Sequence, residues 1–121
     1  MKNPVVHFEV VAKDGEAAQE FYSKLFDWKL DTDNPEKYGS LEAPESGGIG
    51  GGIGTAPEGS PGHVTFYVSV DDLQSYLDKA ESLGGKTIMP PTEIPDQVTF
   101  ALFADPQGNV VGMVKGEMES Q

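Results

Sequence analysis

Length, composition and charge exclude several classes of protein before any motif is considered. The chain has 121 residues, which suits one domain able to bury its own core, and 37% hydrophobic with 23% charged residues is typical of a soluble globular protein. The 20 acidic residues outnumber the 8 basic ones and give a formal net charge of −12. Nucleic acid and anionic membrane surfaces are therefore not expected as partners.

The absence of cysteine removes a further group of functions. Disulfides, thiolate nucleophiles and thiolate metal ligands are excluded, which leaves histidine and carboxylate side chains as the plausible ligands of a metal ion. The N-terminus has no apolar run of signal-peptide length, and no window approaches the roughly 18 apolar residues of a membrane span. We therefore expect a cytoplasmic protein.

The first predicted element is a strand at residues 5–11. This segment is rich in β-branched residues and lies between Pro4 and a polar turn, a pattern typical of strands. Alternation places Val6, Phe8 and Val10 on one face and His7, Glu9 and Val11 on the other. The first face has the character of a core, whereas the second introduces polar groups into an otherwise apolar strand.

A helix and two short strands are predicted next. Asp14 is expected to cap the helix, which ends near Asp27. Its apolar positions recur at helical spacing and are Ala17, Ala18, Phe21, Tyr22, Leu25 and Phe26. Short strands are expected at residues 28–33 and 38–43, separated by a turn.

The glycine-rich segment at residues 47–54 is the least usual part of the chain. It does not match a phosphate-binding loop, because no Lys-Ser/Thr pair and no amphipathic helix follow it. Two interpretations remain. Either it is an irregular strand along a pocket wall, where a backbone or a ligand approaches closely, or it is a flexible loop. Residues 55–62, rich in proline and glycine, are predicted to be a linker.

The second half repeats the order of the first. The clearest predicted strand is His63–Val70, with Val64, Phe66, Val68 and Val70 on one face and His63, Thr65, Tyr67 and Ser69 on the other. Asp71 is predicted to cap the following helix, and Gly84 with Gly85 ends it. Further strands are expected at residues 86–89, 98–103 and 110–114, the first of them broken by Pro90 and Pro91.

These elements predict an α+β fold in which residues 1–121 form a single domain. It would consist of two βαβββ modules at about 4–54 and 63–116, joined by the linker at 55–62. The helices would cover one face of each small sheet and leave the opposite faces to line a shared cavity. The side chains predicted to point into that cavity are His7, Glu9, His63, Thr65 and Tyr67. Apolar or aromatic lining is expected from Trp28, Tyr67, Phe103 and Met113, unless these residues are ordinary core.

The two histidines have two interpretations. His7 and His63, at corresponding places in the two repeats, are a candidate pair for a divalent first-row metal ion. Taken singly, a histidine on a strand is more often a hydrogen-bonded wall residue than a metal ligand. The repeated placement is what favours a functional role.

Five stretches together resemble the vicinal oxygen chelate superfamily over nearly the whole chain. They are residues 6–8, 21–28, 63–73, 84–85 and the Asp-Pro-Gln-Gly-Asn-Val-Val run at 105–111. This superfamily includes lactoylglutathione lyases, extradiol dioxygenases, thiol transferases that act on fosfomycin, methylmalonyl-CoA epimerases and bleomycin-binding resistance proteins. The resemblance is specific for the fold and not for one reaction.

The resemblance also implies a metal site that this sequence does not complete. In metal-dependent members, a histidine on the first strand of each half and a carboxylate on the last strand hold a divalent ion. His7 and His63 match the histidines, but Gly112 stands where the glutamate is expected. The chain thereby resembles a subgroup that lacks this last-strand ligand. Glu9 or Glu42 could substitute for it; otherwise Glu9 is a hydrogen-bonding wall residue or a metal-free general base.

Three functions are consistent with this pattern. The first is small-molecule binding without a complete metal site, either as a binding or sequestering protein or as a metal-independent enzyme; His7, Glu9, His63, Thr65, Tyr67 and Met113 would contact the ligand. The second is a lyase, isomerase or dioxygenase that uses Ni, Mn, Zn or Fe bound by the two histidines and a substitute carboxylate. The third is a structural or partner-binding domain with a vestigial pocket. The superfamily's pairing of modules across chains implies a possible homodimer.

Overall fold

The computed structural model describes residues 3–95 and 98–116 and confirms the predicted α+β class. Two helices and seven strands occur in these residues, in the order β1 (Val5–Ala12), α1 (Gly15–Phe26), β2 (Gly39–Leu41), β3 (Gly50–Thr55), β4 (His63–Val70), α2 (Leu73–Ser82), β5 (Lys86–Ile94), β6 (Val98–Ala104) and β7 (Val110–Lys115). The chain divides into two compact units. We call His7–Thr65 the N-terminal unit, and Phe66 onward together with the residues up to Val6 the C-terminal unit.

In the N-terminal unit, β3 is the central strand. It pairs in parallel with β1, from His7 opposite Gly50 to Ala12 opposite Thr55, and antiparallel with β2 on its other side. Residues 50–54 of the glycine-rich segment are therefore strand, as the first of the two interpretations held, whereas Gly47 and Gly48 precede the strand. The strand predicted at residues 28–33 is wrong, because that segment forms only an isolated bridge between Asp31 and Ser40.

The glycines of β3 make room for two aromatic rings. A Cβ added at Gly51 would overlap the ring of Phe8, and one at Gly52 would overlap the ring and hydroxyl of Tyr38. At Gly54, an added Cβ would lie 2.9 Å from Tyr38 Cδ1. Both rings thus lie directly on the strand backbone, a packing that any larger residue at these positions would prevent.

Helix α1 begins and ends as its sequence predicts but leaves part of its apolar stripe uncovered. The Asp14 carboxylate accepts a hydrogen bond from the Ala17 amide at 3.0 Å, and Asp27 ends the helix in the left-handed conformation. Trp28, just after the helix, packs on an aromatic cluster whose other members are Phe8, Tyr22 and Phe26. Phe21, Leu25 and Phe26 nevertheless remain exposed, each at more than half of its surface.

The C-terminal unit holds a more complete core. Its strands lie in the order β4-β7-β6-β5, with β4 and β7 parallel and the other pairs antiparallel. Five buried residues form a hydrophobic cluster: Val70, Leu73, Leu77, Ala101 and Met113. Helix α2 supplies two of them and contacts β5, β6 and β7.

Two boundary predictions in this unit are wrong. The cap of α2 is Asp72, whose carboxylate accepts from the Ser75 amide at 3.1 Å, and not Asp71. Strand β5 also continues through Pro90 and Pro91 to Ile94. It can do so because it is an edge strand with irregular register around the prolines, so that the missing amide protons do not interrupt a central ladder.

Strand β4 shows a burial pattern that alternation alone did not predict. Thr65, Tyr67 and Ser69 are buried, whereas Val64 and Phe66 on the apolar face are exposed at 71% and 42%. Val68 and Val70, near the strand end, do pack in or against the core cluster to which α2 contributes. The expectation that the helix covers the whole apolar face of this strand is therefore wrong for its first half.

Within the two described ranges, neither helix is long and apolar enough to cross a membrane.

Candidate functional site

The main polar cluster of the N-terminal unit joins two predicted site residues to one that the sequence did not single out. His7 Nε2 lies 3.2 Å from Tyr38 Oη, and Tyr38 Oη donates a hydrogen bond to Glu9 Oε2 at 2.9 Å. Because the phenol has one proton and donates it to Glu9, its oxygen accepts the proton on His7 Nε2. We call these three residues the polar triad.

Strand β1 and the loop that precedes β2 position the polar triad. His7 and Glu9 are two residues apart on β1 and so lie on the same face of the strand. Tyr38 is held by Asn34, whose side-chain amide donates to the Tyr38 carbonyl at 2.9 Å and whose Oδ1 accepts from the Tyr38 amide at 2.9 Å. The adjacent Lys37 has a φ of 57°, which sharpens the turn.

A glutamine on α1 fixes the same loop to the sheet. Gln19 Nε2 donates to the Lys37 carbonyl at 3.0 Å and to the Ile53 carbonyl at 2.8 Å. With its ring lying over Gly52, Tyr38 is therefore constrained on its backbone and on its side chain. The run of glycines in β3 was the available signal for an aromatic ring at this place, but it does not identify which ring.

Burial sets the charge state of the triad's imidazole. Desolvation lowers the pKa of His7 below its ordinary value, and the nearby Glu9 carboxylate opposes this effect only in part. His7 is consequently a neutral hydrogen-bonding group at neutral pH. All three triad residues are half-buried, so that the cluster combines a fixed geometry with partial access.

The other predicted site residues lie on β4 and β7. Thr65 and Tyr67 are buried at 6% and 7% exposure, and His63 is half-buried. His63 Nε2 is buried and, among the described residues, has no hydrogen-bond partner. Met113 packs within the hydrophobic cluster of the C-terminal unit, which makes it a core residue.

Gly112 lies beneath the ring of Tyr67. The two residues are opposite each other in the β4–β7 pairing, and a Cβ at Gly112 would overlap the Tyr67 ring. That ring also makes an edge contact with Phe100, with centroids 6.4 Å apart. A glutamate side chain at position 112 could be accommodated only if Tyr67 moved.

The capping aspartates of the two helices show which residues of β1 and β4 occupy equivalent positions in the two halves of the sequence. His7 lies seven residues before the capping Asp14, and Thr65 lies seven residues before the capping Asp72. By this measure the counterpart of His7 is Thr65, and His63 lies two residues earlier. The strand pairing agrees, since Glu9 is opposite Gly52 in one unit and Tyr67 is opposite Gly112 in the other.

Among the described residues, the side chains that the sequence resemblance implied as metal ligands are not brought together in one group. In residues 3–95 and 98–116, no three His, Cys, Asp or Glu side chains form a group that could hold a metal ion. Gly112 provides no ligand, Tyr67 occupies the space above it, and a threonine corresponds to His7 in the second half.

A separate groove of about 570 Å³ runs along α1 in the N-terminal unit. Its lining is mainly polar and acidic and consists of Asp14, Glu16, Ala17, Gln19, Glu20, Ser23, Leu30 and Thr32. None of the predicted site residues contributes to it.

Comparison with known proteins places the chain in a family. The family model described as Glyoxalase/Bleomycin resistance protein/Dioxygenase superfamily matches residues 5–113. The putative glyoxylase CFP32 of Mycobacterium bovis is 35% identical over 107 residues, which cover 83% of this chain and 41% of that protein. The chain thus spans less than half the length of this mycobacterial relative.

Two further proteins resemble the chain over most of their own length. A glyoxylase-like domain-containing protein of Didymella fabae is 31% identical over 108 residues, 84% of each protein. The structure of methylmalonyl-CoA epimerase from Mycobacterium tuberculosis has the same fold, with a TM-score of 0.67 at 13% identity over 93% of this chain and 87% of that one. The resemblance inferred from sequence motifs is confirmed at this level, and the chain belongs to the glyoxalase/bleomycin resistance protein/dioxygenase superfamily.

Proposed function

We propose that this chain binds a small organic molecule without the metal centre of its metal-dependent relatives, and that the polar triad is its main recognition group. The observation that carries this proposal is the hydrogen-bonded chain from His7 through Tyr38 to Glu9 on a half-buried strand face. Small-molecule sites commonly combine mostly apolar walls with a few fixed polar groups of this kind.

The absence of a last-strand glutamate supports the metal-free part of the proposal. We infer that the chain belongs to a subgroup in which Gly112 has replaced that ligand and Tyr67 covers the vacated position. The second alternative, a lyase, isomerase or dioxygenase dependent on Ni, Mn, Zn or Fe, would need ligands that are not grouped in the described residues.

The orientation of the triad limits what it can do. His7 donates to the phenol and Tyr38 donates to Glu9, so the phenol proton is directed at the carboxylate. A carboxylate can accept several hydrogen bonds, so a ligand donor can share Glu9 with the Tyr38 hydroxyl. Binding of a donor group is thus the simplest chemistry, and the role of Glu9 as a general base stays a prediction.

A ligand screen tests the proposal. Wild-type protein is screened by thermal shift against a broad metabolite set, because a ligand that binds only the native state raises the melting temperature. Tyr38→Phe should weaken any ligand found by about tenfold or more, as expected for loss of a hydrogen bond that orients a charged partner.

Tyr76→Phe is the matched control, because it removes a phenol hydroxyl whose partner is the exposed Asn3 side chain. It should leave the ligand's affinity unchanged. No shift with any compound, or equal binding by both variants, would contradict the proposal. Titration with Ni²⁺, Mn²⁺, Zn²⁺ and Fe²⁺ should show no stoichiometric ion; an ion lost on His7→Ala would favour the metal-dependent alternative.

A further inference from the structure

The loop that carries Tyr38 to the polar triad is shaped by hydrogen bonds within itself. The Asn34 side chain binds the amide and the carbonyl of Tyr38, and the Lys37 amide donates to the Asn34 carbonyl at 3.1 Å. Lys37 has a φ of 57°, a left-handed conformation that is uncommon for a residue with a side chain. These bonds determine the shape of the loop, but they do not determine where the loop lies relative to the sheet.

Gln19 on α1 connects this loop to β3. Its amide nitrogen donates one hydrogen bond to the Lys37 carbonyl at 3.0 Å and one to the Ile53 carbonyl at 2.8 Å. A glutamine amide has two N–H groups, so both are used. Lys37 directly precedes Tyr38 in the chain. Ile53 directly follows Gly52, the glycine beneath the Tyr38 ring. The Gln19 amide therefore bridges the loop and the strand at the place where the ring lies on the strand.

Packing holds Gln19 against the residue on the other side of Tyr38. A Cβ added at Gly39 would lie 3.1 Å from Gln19 Nε2 and 3.2 Å from its Cδ and Cγ, so the Gln19 side chain lies directly on the Gly39 backbone. Gly39 is buried and is opposite Ile53 in the β2–β3 pairing. Gln19 thus contacts both chain neighbours of Tyr38, one through a hydrogen bond and the other through packing.

The two carbonyls that Gln19 binds require a side chain with two donors. A carboxylate at this position would present only acceptors to two carbonyl oxygens, and an apolar side chain of the same length would remove both hydrogen bonds. Ile53 has 0% exposure, so water can replace the lost bond to its carbonyl only if the loop or the helix moves. Loss of the amide therefore favours movement of the Tyr38 loop away from β3.

We propose that Gln19 is the positioning residue of the polar triad. By holding the loop on β3, Gln19 keeps the Tyr38 hydroxyl within hydrogen-bond distance of the groups on β1, which are His7 and Glu9. It acts on ligand affinity through Tyr38. This inference rests on the proposed function and adds a residue of α1 to the same site.

Gln19→Met tests the inference, because methionine keeps the length of the side chain and removes both donors. The Tyr38 ring lies against Gly52, so its ring current shifts the NMR signals of the Gly52 α-protons. In Gln19→Met protein these signals should move most of the way toward their positions in Tyr38→Ala protein. The α-protons of Gly112, which lie beneath the Tyr67 ring, should keep their wild-type positions.

Gln74→Met is the matched control. The Gln74 amide donates to Asp78 at 2.9 Å within α2, so its loss removes a glutamine donor from the other helix. The signals of Gly52 and Gly112 should both stay at their wild-type positions in this variant.

Ligand affinity provides a second readout, for which the probe is the compound that raises the wild-type melting temperature most in the metabolite screen. Gln19→Met protein should bind it about tenfold more weakly, as expected for loss of one hydrogen bond. In Tyr38→Phe protein the same substitution should have little further effect, because Gln19 acts through the hydroxyl. Independent losses in the two variants would show that Gln19 does not act through Tyr38.

Gln19→Glu keeps the inference testable if Gln19→Met does not fold. The ionised carboxylate has no donor, whereas the protonated carboxyl group has one. The Gly52 signals should therefore return toward their wild-type positions as the pH falls, with wild-type protein measured at each pH as the reference. A folded Gln19→Glu protein whose Gly52 signals match wild type at every pH would overturn the inference.

The possible failures are distinguishable. If the Gly52 signals do not move in Gln19→Met protein, or if they move together with those of Gly112, only the positioning role is wrong. If the Gly52 signals move as expected but no compound binds wild-type protein, the proposed function falls, and the effect of Gln19 on ligand affinity falls with it.

Discussion

The two units each place a tyrosine ring over a strand glycine, but they use it differently. In the N-terminal unit, Tyr38 reaches Gly52 from a loop, and its hydroxyl is bound by groups on β1. In the C-terminal unit, Tyr67 belongs to β4 itself, is 7% exposed and packs against Phe100 over Gly112. The first ring thus takes part in a hydrogen-bonded polar cluster, whereas the second is packed in a buried position above the glycine of the last strand.

The two helices also differ in how far their apolar side chains are buried. Leu73 and Leu77 of α2 are buried at 5% and 1% exposure in a continuous core cluster, whereas Phe21 and Leu25 of α1 are more than half exposed. The C-terminal unit thus contains the continuous hydrophobic cluster, whereas part of the apolar stripe of α1 in the N-terminal unit is exposed. Four predictions test this contrast between the two units.

The largest effect is expected for Gly112→Glu. The new side chain would overlap the Tyr67 ring and bring a charge into a buried position, so the free energy of unfolding should fall by about 3 kcal/mol or more. Denaturant unfolding measures this loss, and titration with Ni²⁺ or Zn²⁺ should still show no stoichiometric ion. A stable variant that binds one metal ion would refute the filling role assigned to Tyr67.

The next largest effect is expected for Gly52→Ala. Its methyl group would overlap Tyr38, which should lower the free energy of unfolding by about 1–3 kcal/mol. In Tyr38→Ala protein the same substitution should cost much less, because the overlapping ring is gone. A double-mutant cycle gives the coupling, and additive losses would contradict direct packing of the ring on Gly52.

A smaller, pH-dependent effect is expected from His7. Its pKa is lowered in the folded state, so the unfolded chain takes up a proton first as the pH falls below the ordinary histidine value of about 6.5. The stability linked to His7 is therefore present above that pH and is lost progressively down to the lower folded pKa. Urea unfolding at several pH values should show this decline in wild-type protein and a shallower one in His7→Gln. Identical pH dependence in both proteins would exclude the burial assigned to His7.

The smallest effect on folding is expected at the exposed face of α1. If the homodimer predicted from the sequence forms through this face, Leu25→Glu should shift the protein toward monomer with little change in unfolding free energy, because Leu25 is already 57% exposed. Sedimentation velocity measures the shift, and Glu20→Gln on the same helix is the polar control. A wild-type protein that is monomeric at high concentration would rule out the homodimer.

Sequence patterns predicted much of the fold because helix caps and apolar periodicity depend on interactions between residues that are close in sequence. Asp14 before an apolar helical stripe predicted the start of α1, and the apolar strand His63–Val70 was placed with its correct limits. The superfamily followed from five motif stretches spread along the chain and is confirmed by the match to residues 5–113. The cap at Asp72 was missed because Asp71 is chemically equivalent and lies next to it.

The candidate site depended on contacts that no local pattern contains. His7 and Glu9 could be placed on one strand face from alternation, but Tyr38 lies 29 residues beyond Glu9 in a loop, and nothing in its neighbours marks it as their partner. The exposure of Val64 and Phe66 likewise depends on which part of β4 lies against the core. Alternation identifies the two faces of a strand but not what covers them.

The amino-acid sequence was sufficient to predict the class of fold, and it shows the acidic charge, the absence of cysteine and the glycine at position 112. The contacts in the folded chain were needed to find that tyrosine rings cover Gly52 and Gly112, and that Tyr38 links the histidine and glutamate of β1. The physical reason is that composition and periodicity act over a few neighbouring residues, whereas a site is made by side chains that folding brings together from distant parts of the chain.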